Sequence, residues 1–345
     1  MHYRENAMKS HRIAFVAPGI AALEEHDLQT ALPPGHALLK TDCTLISTGT
    51  ERANLMGEDN LGAPGPARFP RYLGYSAVAK VMALAADVRD LRVGDRVAVY
   101  HSQHAQYLVK HCQDLVRIED EALPSAEAVF CIVAAMGLQG LRKVRLELGE
   151  SCLVMGQGLL GVFALQCARL SGALPLMAMD FVAERRTRAC ELGADAAWSP
   201  DDPALAEAVR GLSGGRGVNT VIEVTGSPAA VKQGLKLMAP QGRIALVGCS
   251  RTPTEQIDFY NDVHRPGIVI IGAHNFVRPK NESHPGYWTM RDDMRMLLKF
   301  FAAGRIQVRP LLREQVSPHD APAVFARLAQ NDPTVMGTVF DWNLC

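Results

Sequence analysis

Residues 151–161 constrain what this chain can fold into more than any other stretch. They read Ser-Cys-Leu-Val-Met-Gly-Gln-Gly-Leu-Leu-Gly. A short apolar run, 151–155, leads into Gly156, Gly158 and Gly161 at the spacing G-x-G-x-x-G, and an apolar, helix-favouring segment follows at 162–170. Asp180 closes a second apolar run 24 residues after Gly156. Strand, glycine turn, helix, strand and terminal acid, in that order, make the pattern of a dinucleotide site. Gly156 permits the tight turn, Gly158 lets the backbone approach a pyrophosphate, and Gly161 lets the helix pack close to the strand. Gln157, Leu159 and Leu160 complete the loop, whose free N–H groups at the helix start face the phosphates. Asp180 is expected to accept hydrogen bonds from the adenosine ribose hydroxyls. Glycine spacing alone is a weak signal; the flanking strand, helix and acid make it specific.

A chain of 345 residues is too long for one ordinary core and is expected to form two domains. Hydrophobic residues at 48% and charged residues at 21% fit a soluble globular protein. Lys+Arg and Asp+Glu balance at 36 each, and no basic cluster carries interleaved aromatics. Neither nucleic acid nor an anionic membrane is an expected partner. The eight cysteines form no Cys-x-x-Cys pair and several sit in apolar runs, as free buried thiols do. A reducing compartment, by default the cytoplasm, is expected. Residues 1–12 are polar and mixed, without a secretory apolar core. The most apolar long stretch, 151–179, is broken by glycines, Gln157, Gln166 and Arg169, so no membrane span is expected there.

The first third of the chain reads as β-rich, with turn signals about every ten residues. A loose leader is expected over 1–10, then strands at 13–16, 37–43 with 44–47, 72–83, 93–99 behind a turn, 105–109 and 115–118. Residues 48–57 read as a loop running into a helical turn, and 59–70, rich in Gly and Pro, as an irregular surface loop. A long apolar helix is expected over 125–144. From 151 strands alternate with helices: strands near 151–155, 175–180, 195–198, 219–224, 243–248 and 268–273, helices at 183–192, 203–211 and 229–237. Six such strands with right-handed crossovers form one doubly wound sheet. The tail carries a helix at 290–303, a strand at 306–310, a helix at 318–328 and a strand at 338–342.

With these blocks in order, the chain resembles the medium-chain dehydrogenase/reductase superfamily, the fold of zinc alcohol, sorbitol and threonine dehydrogenases. The resemblance runs from about Ile13 to Trp342. It is carried by Ser-Thr-Gly-Thr-Glu at 47–51, Leu-Gly-Tyr-Ser at 73–76, Val-Gly-Asp-Arg-Val at 93–97, His-Ala-Gln-Tyr at 104–107 and the glycine block ending at Gly158. Leu-Gly-Ala-Asp at 192–195, Val-Ile-Glu-Val-Thr-Gly at 221–226 and Gly-Arg-Ile-Ala-Leu-Val-Gly at 242–248 complete it. It implies an α/β fold: an N-terminal GroES-like β domain over 1–124, a Rossmann domain over 125–276 and a C-terminal segment, 277–345, returning to the first domain. It also implies a homodimer paired through the last Rossmann strand, for which the apolar run 267–273 is the candidate edge.

The departures from that pattern bear on chemistry. Where zinc members have ligands, this chain has Thr48 for a Cys and Tyr75 for a His; Ser76 replaces the neighbouring Glu, and Cys131 stands at the third position. One thiol does not make a catalytic zinc site, and the four-cysteine structural lobe is absent, so no zinc is expected. His101 and His104 are the nearest substitute ligands, and as His-x-x-His in a strand–loop segment they are expected to be incidental. Without a metal, a hydroxyl or imidazole donor is expected to stabilise the substrate oxygen during hydride transfer. The resemblance puts Tyr75 at the metal-binding histidine's position, Thr50 at the proton-relay hydroxyl's and Glu51 at the neighbouring acid's; Tyr75 is expected to donate to the substrate oxygen, Thr50 to shuttle the proton, and Glu51 to orient Tyr75 or Arg52. Packed or capping roles for the same residues stay open. Around the cofactor, Thr225, Gly226, Cys249, Ser250 and His274 are further candidates. Asp180 favours NAD; Arg185 and Arg186, read as a solvated helix face, leave NADP open. The expected activity is zinc-independent, NAD(P)-dependent oxidation or reduction of a small-molecule alcohol or ketone. A quinone or enoyl reductase and a non-catalytic dinucleotide sensor are the alternatives.

Overall fold

The computed structural model describes residues 7–58 and 67–345. The leader expected over 1–6 and most of the loop expected over 59–70 lie outside the described residues. The elements are, in order, β1 (Ala7–Ala17), β2 (Ile20–Gln29), β3 (His36–Leu45), α1 (Thr48–Met56), β4 (Ser76–Leu84), β5 (Arg96–Tyr100), β6 (Tyr107–His111) and β7 (Leu115–Arg117). Next come α2 (Ser125–Ala128), α3 (Cys131–Val144), β8 (Cys152–Met155), α4 (Leu159–Leu170), β9 (Leu176–Met179), α5 (Ala183–Glu191), β10 (Ala196–Trp198) and α6 (Leu205–Leu212). The chain continues through β11 (Val218–Glu223), α7 (Pro228–Leu237), β12 (Met238–Leu246), β13 (Val269–Gly272), α8 (Met290–Ala302), β14 (Glu314–Val316), α9 (Ala321–Ala329) and β15 (Thr338–Asp341). Two compact units result: Met1–Ile132 with Arg291–Cys345, and Val133–Met290.

The first unit is built on a sheet of order β14-β15-β3-β4-β5-β7, with β6 also on β3. β15 closes onto β3 with Val339 opposite Leu45, so the C-terminal segment completes the N-terminal sheet. Phe15, Ile46, Leu55, Phe325, Phe340 and Trp342 form one core, and Leu39, Val97, Val99 and Leu115 belong to another. Residues 7–10, expected as a loose leader, instead begin β1, which forms a hairpin with β2. Across it Lys9 lies 3.0 Å from Asp27 and Arg12 lies 2.7 Å from Glu24, while Ile13, Phe15 and Ala21 bury into the core. The strand expected at 306–310 is absent. Ile306 and Val308 are buried, but Pro310 has no N–H to give a ladder and the segment turns through Arg309–Leu311. β14 takes the place on β15 instead.

The second unit holds six parallel strands in the order β10-β9-β8-β11-β12-β13, the doubly wound arrangement expected. Its core on one face includes Leu153, Met155, Val221, Val231, Leu235 and Ile244. The units change over at 132/133 and 290/291 rather than at 124/125 and 276/277. Hydrogen bonds explain both shifts. Ser76 Oγ donates to Val129 O, and Arg96 donates to Leu123 O, which ties 123–129 to the β-rich unit. Arg278 donates to Ala135 O, and Arg142 stacks over Trp288, which ties 278–288 to α3. One apolar stretch, Ser125–Val144, has the length and composition of a membrane span, and it is mostly buried inside the protein.

Candidate functional site

In the second unit the glycine loop makes the tight turn and the close helix–strand approach that its spacing implies. Gly156 has φ +92°, the left-handed region that favours glycine. A Cβ on Gly161 would sit 1.8 Å from Gly156 O, so no side chain fits where α4 crosses the end of β8. A Cβ on Gly158 would meet nothing within 4 Å, which leaves open space above the helix start. α4 begins at Leu159 with Gly158 as its N-cap and no side chain bonded there, so its first N–H groups remain available to an anion. Leu159 is buried and Leu160 half-buried. Gln157 is buried, and its amide donates to Val154 O while its Oε1 has no partner.

Asp180 follows β9. One carboxylate oxygen accepts the Gln157 N–H at 2.7 Å and the other accepts the Val182 N–H at 2.8 Å. Arg185 lies 3.7 Å from the same carboxylate, and Arg186 donates to the carbonyls of Asp180 and Phe181. The two arginines are therefore engaged with the acid's own turn and do not form the solvated face expected of them.

Because all six strands are parallel, their C-terminal ends share one edge of the sheet. Asp180, Gly156, Thr225 with Gly226, Cys249 with Ser250, and His274 follow five adjacent strands there, spanning about 19 Å at ordinary strand spacing. Thr225, Cys249, Ser250 and His274 are exposed. His274 accepts from Phe276 N–H at 3.2 Å. Glu223 was not singled out from the sequence, yet it organises this edge. Its buried carboxyl accepts from the Thr225 hydroxyl and from the backbone N–H groups of Thr225 (2.7 Å) and Gly226 (3.1 Å). Burial raises its pKa against the pull of those hydrogen bonds. An acid at the end of an apolar strand, just ahead of Thr-Gly, is the signal that marks it.

In the first unit, the loop running into a helical turn expected at 48–57 is helical from its start, as α1. Its start is set by Glu51, whose carboxylate accepts the Ser47 N–H at 2.9 Å, an acid in the first turn where the helix dipole favours it. Thr48 is half-buried and Thr50 exposed. Tyr75 precedes β4, is half-buried, and its hydroxyl donates to Ser47 Oγ. Burial pushes its phenol well above the ordinary range, and the nearby Glu51 charge adds to this; hydrogen bonds with Ser47 and Thr50 pull the other way. The structure thus brings Tyr75, Thr50 and Ser47 together at hydroxyl range.

Glu51 does not orient Tyr75 directly or pair with Arg52, which bonds Glu58 instead. Its second oxygen meets His104 Nε2 at 2.9 Å, and both side chains are 1% exposed. His104 Nδ1 lies 2.7 Å from Thr44 Oγ1, which accepts the Trp342 indole N–H at 3.0 Å. Sequence reasoning missed this pairing because its members lie 53 to 298 positions apart.

The positions where zinc relatives hold metal do not fit that ion. Zinc takes thiolate, imidazole or carboxylate donors. Thr48 offers an alcohol, and Tyr75 a phenol held in its protonated form. Cys131 offers a fully buried thiol that desolvation pushes far above its ordinary range. His101 is 3.6 Å from Asp114, and both nitrogens of His104 are engaged. Among the described residues no group of three His, Cys, Asp or Glu could hold a metal.

Comparison with known proteins agrees with this architecture. The family model of zinc-binding dehydrogenases matches residues 160–288. D-guloside 3-dehydrogenase of Escherichia coli K12 is 23% identical over 343 residues, covering 93% of this chain and 97% of that protein. Among solved structures, an oxidoreductase/dehydrogenase of unknown specificity involved in membrane biogenesis from Escherichia coli superposes with a TM-score of 0.83 at 18% identity, over 97% of this chain and 99% of that one. A short chain alcohol dehydrogenase from E. coli CFT073, complexed with cofactor NADH, superposes with a TM-score of 0.81 at 18% identity, over 96% and 99%.

Proposed function

We propose that this chain, which its architecture and relatives place with the medium-chain dehydrogenase/reductase superfamily, is a zinc-independent oxidoreductase that interconverts a secondary alcohol and its ketone with NAD as the preferred cofactor. The observation that carries this reading is the Tyr75 hydroxyl, protonated and bonded to Ser47, at the position where zinc relatives carry a metal-binding histidine. The dinucleotide, when bound, supplies or takes up the hydride. The N–H groups from Gly158 into α4 would hold its pyrophosphate and Asp180 its adenosine ribose. Thr225, Gly226, Cys249, Ser250 and His274 would hold the remainder.

The protein's own contribution to the chemistry is a hydroxyl donor. A phenol whose pKa is raised stays protonated through neutral pH, so Tyr75 gives its proton to the substrate oxygen in ketone reduction, and in alcohol oxidation the same transfer runs in reverse, the phenolate taking the alcohol's proton. Rotation about its C–O bond turns the proton from Ser47 to that oxygen, and Thr50, exposed beside it, exchanges the proton with solvent. NAD is preferred because the Asp180 carboxylate repels a 2′-phosphate. Arg185 at 3.7 Å reduces that repulsion and supports residual use of NADP. The relative named D-guloside 3-dehydrogenase supports the sugar- or polyol-derived end of the substrate class.

All eight cysteines are free thiols, which supports a reducing compartment. Among the described residues β13 pairs only with β12 and leaves Val269 exposed, which supports a homodimer through that edge; sedimentation of the purified protein would read it. The central test is nicotinamide absorbance over a panel of polyols, sugars, secondary alcohols, enones and quinones, before and after exhaustive chelation. Turnover of an alcohol or ketone, unchanged by chelation, is expected. Zinc-dependent turnover would defeat the zinc-free mechanism, turnover confined to enones or quinones would point to the reductase alternative, and tight NADH binding without turnover would point to a sensor.

A further inference from the structure

The Tyr75–Ser47 hydrogen bond is one side of a closed circuit. Tyr75 lies two residues after Leu73, whose carbonyl accepts the His104 backbone N–H at 2.8 Å. The packing there is close: a Cβ on Gly74 would lie 2.9 Å from His104 N. The His104 ring then reaches Glu51 Oε2 at 2.9 Å, and Glu51 Oε1 accepts the Ser47 N–H at 2.9 Å. Ser47 Oγ accepts the Tyr75 hydroxyl, which completes the loop. His104 thus touches both segments that meet at the phenol, one through its backbone and the other through its ring.

The ring itself is fixed from behind. Thr44 Oγ1 holds Nδ1 at 2.7 Å and is in turn fixed by the Trp342 indole, while Phe340 and Phe325 pack edge-on at 5.5 and 6.2 Å. Two ionisable side chains at 1% exposure are tolerated when each supplies the other's partner; removing one leaves the other buried and unpaired.

We propose that His104 is a positioning residue: through Glu51 it sets the Ser47 turn at the start of α1, and so fixes the direction in which the Tyr75 hydroxyl points. This rests on the reading of Tyr75 as the hydroxyl donor and adds a residue that never meets the substrate. Two substitutions separate the ends of the ring. His104→Gln keeps a donor at the Glu51 end, whereas His104→Asn keeps only the Thr44 end.

The test uses full-length protein with 13Cζ-labelled tyrosine, the Tyr75 resonance being assigned with Tyr75→Phe. The resonance is expected to move in His104→Asn and in Glu51→Gln, and to return close to its original position in His104→Gln. In step, kcat should fall about 10- to 100-fold in His104→Asn with KM within about twofold, and largely recover in His104→Gln. A Tyr75 resonance unmoved in folded His104→Asn overturns the inference, as does an unmoved resonance in Glu51→Gln should the histidine variant fail to fold. The two ideas fail separately. A resonance that follows this pattern in a protein without turnover upholds the positioning role and removes the catalytic reading. An unmoved resonance in an active enzyme does the reverse.

Discussion

At the scale of single residues, the hydroxyl of Tyr75 and the carboxyl of Glu223 make separable predictions. Tyr75→Phe removes one oxygen and keeps the ring, so it should cost stability only about 0.5–1.5 kcal/mol, the worth of one hydrogen bond. If the phenol donates to the substrate oxygen, kcat should fall about 10²- to 10⁴-fold. Chemical denaturation and steady-state kinetics on the same preparation give both values, and near-normal kcat would remove Tyr75 from the mechanism. Glu223 carries a pKa raised by burial. A raised carboxyl favours the protonated folded state, so its contribution to stability is complete below the unfolded value and is lost as pH rises through the folded one. The stability of the wild type relative to Glu223→Gln should therefore decline as pH is raised from about 4 toward neutrality. Urea titrations across that range would show it, and a difference that grows with pH would contradict the burial argument.

At the scale of elements, the crossing of α4 over the end of β8 has the least tolerance. Gly161→Ala puts a methyl 1.8 Å from a backbone carbonyl, so the helix start must move. A loss of about 1–3 kcal/mol is expected, with NADH affinity, measured by fluorescence titration, falling more than stability does. Retained affinity would mean that the loop does not hold the pyrophosphate. This crossing was readable in the sequence because it depends on neighbours: a glycine spacing, a short apolar run and an acid 24 residues on. The same holds for the six parallel strands, whose apolar runs are bounded by turns.

Elements that depend on distant partners were legible only in part: a strand at 13–16 and a helical turn within 48–57 could be read, the full hairpin and the full helix could not. β1 and β2 carry charged residues matched across the hairpin and show little apolar alternation. α1 opens with Thr-Gly-Thr, poor helix formers, and is capped by a carboxylate that His104 must hold in place. The candidate hydroxyls of Tyr75 and Thr50 could be proposed from their block in the chain; the Glu51–His104 pair behind them could not, because nothing local in either segment marks the other.

At the scale of the molecule, the distribution of thiols gives a test of the cofactor edge. Cys43, Cys112, Cys131, Cys152 and Cys167 are buried, and desolvation pushes the Cys152 thiol up to about 12. In the native protein an aromatic disulfide reagent should reach Cys190, Cys249 and Cys345 and spare those five until denaturant is added. Cys190 should react slowly, because partial burial and the carboxylates of Asp195 and Glu191 raise its thiol. Saturating NADH should protect Cys249 and leave Cys190 unchanged, which mass spectrometry of the labelled peptides would resolve; equal labelling with and without NADH would remove Cys249 from the cofactor edge.

The closure of β15 onto β3 has a consequence for how the chain is made. Every strand of the parallel sheet lies between Cys152 and Gly272, so that sheet has its full complement well before synthesis ends. β3 must wait for Val339 to cover Leu45, and Thr44 for an indole 298 positions downstream. At about 5–20 residues per second the ribosome takes roughly 15–60 s to deliver them. Through that interval the Cys43–Leu45 edge of β3 is an open strand on a nascent polypeptide, with its backbone N–H and C=O groups still unpaired on that side.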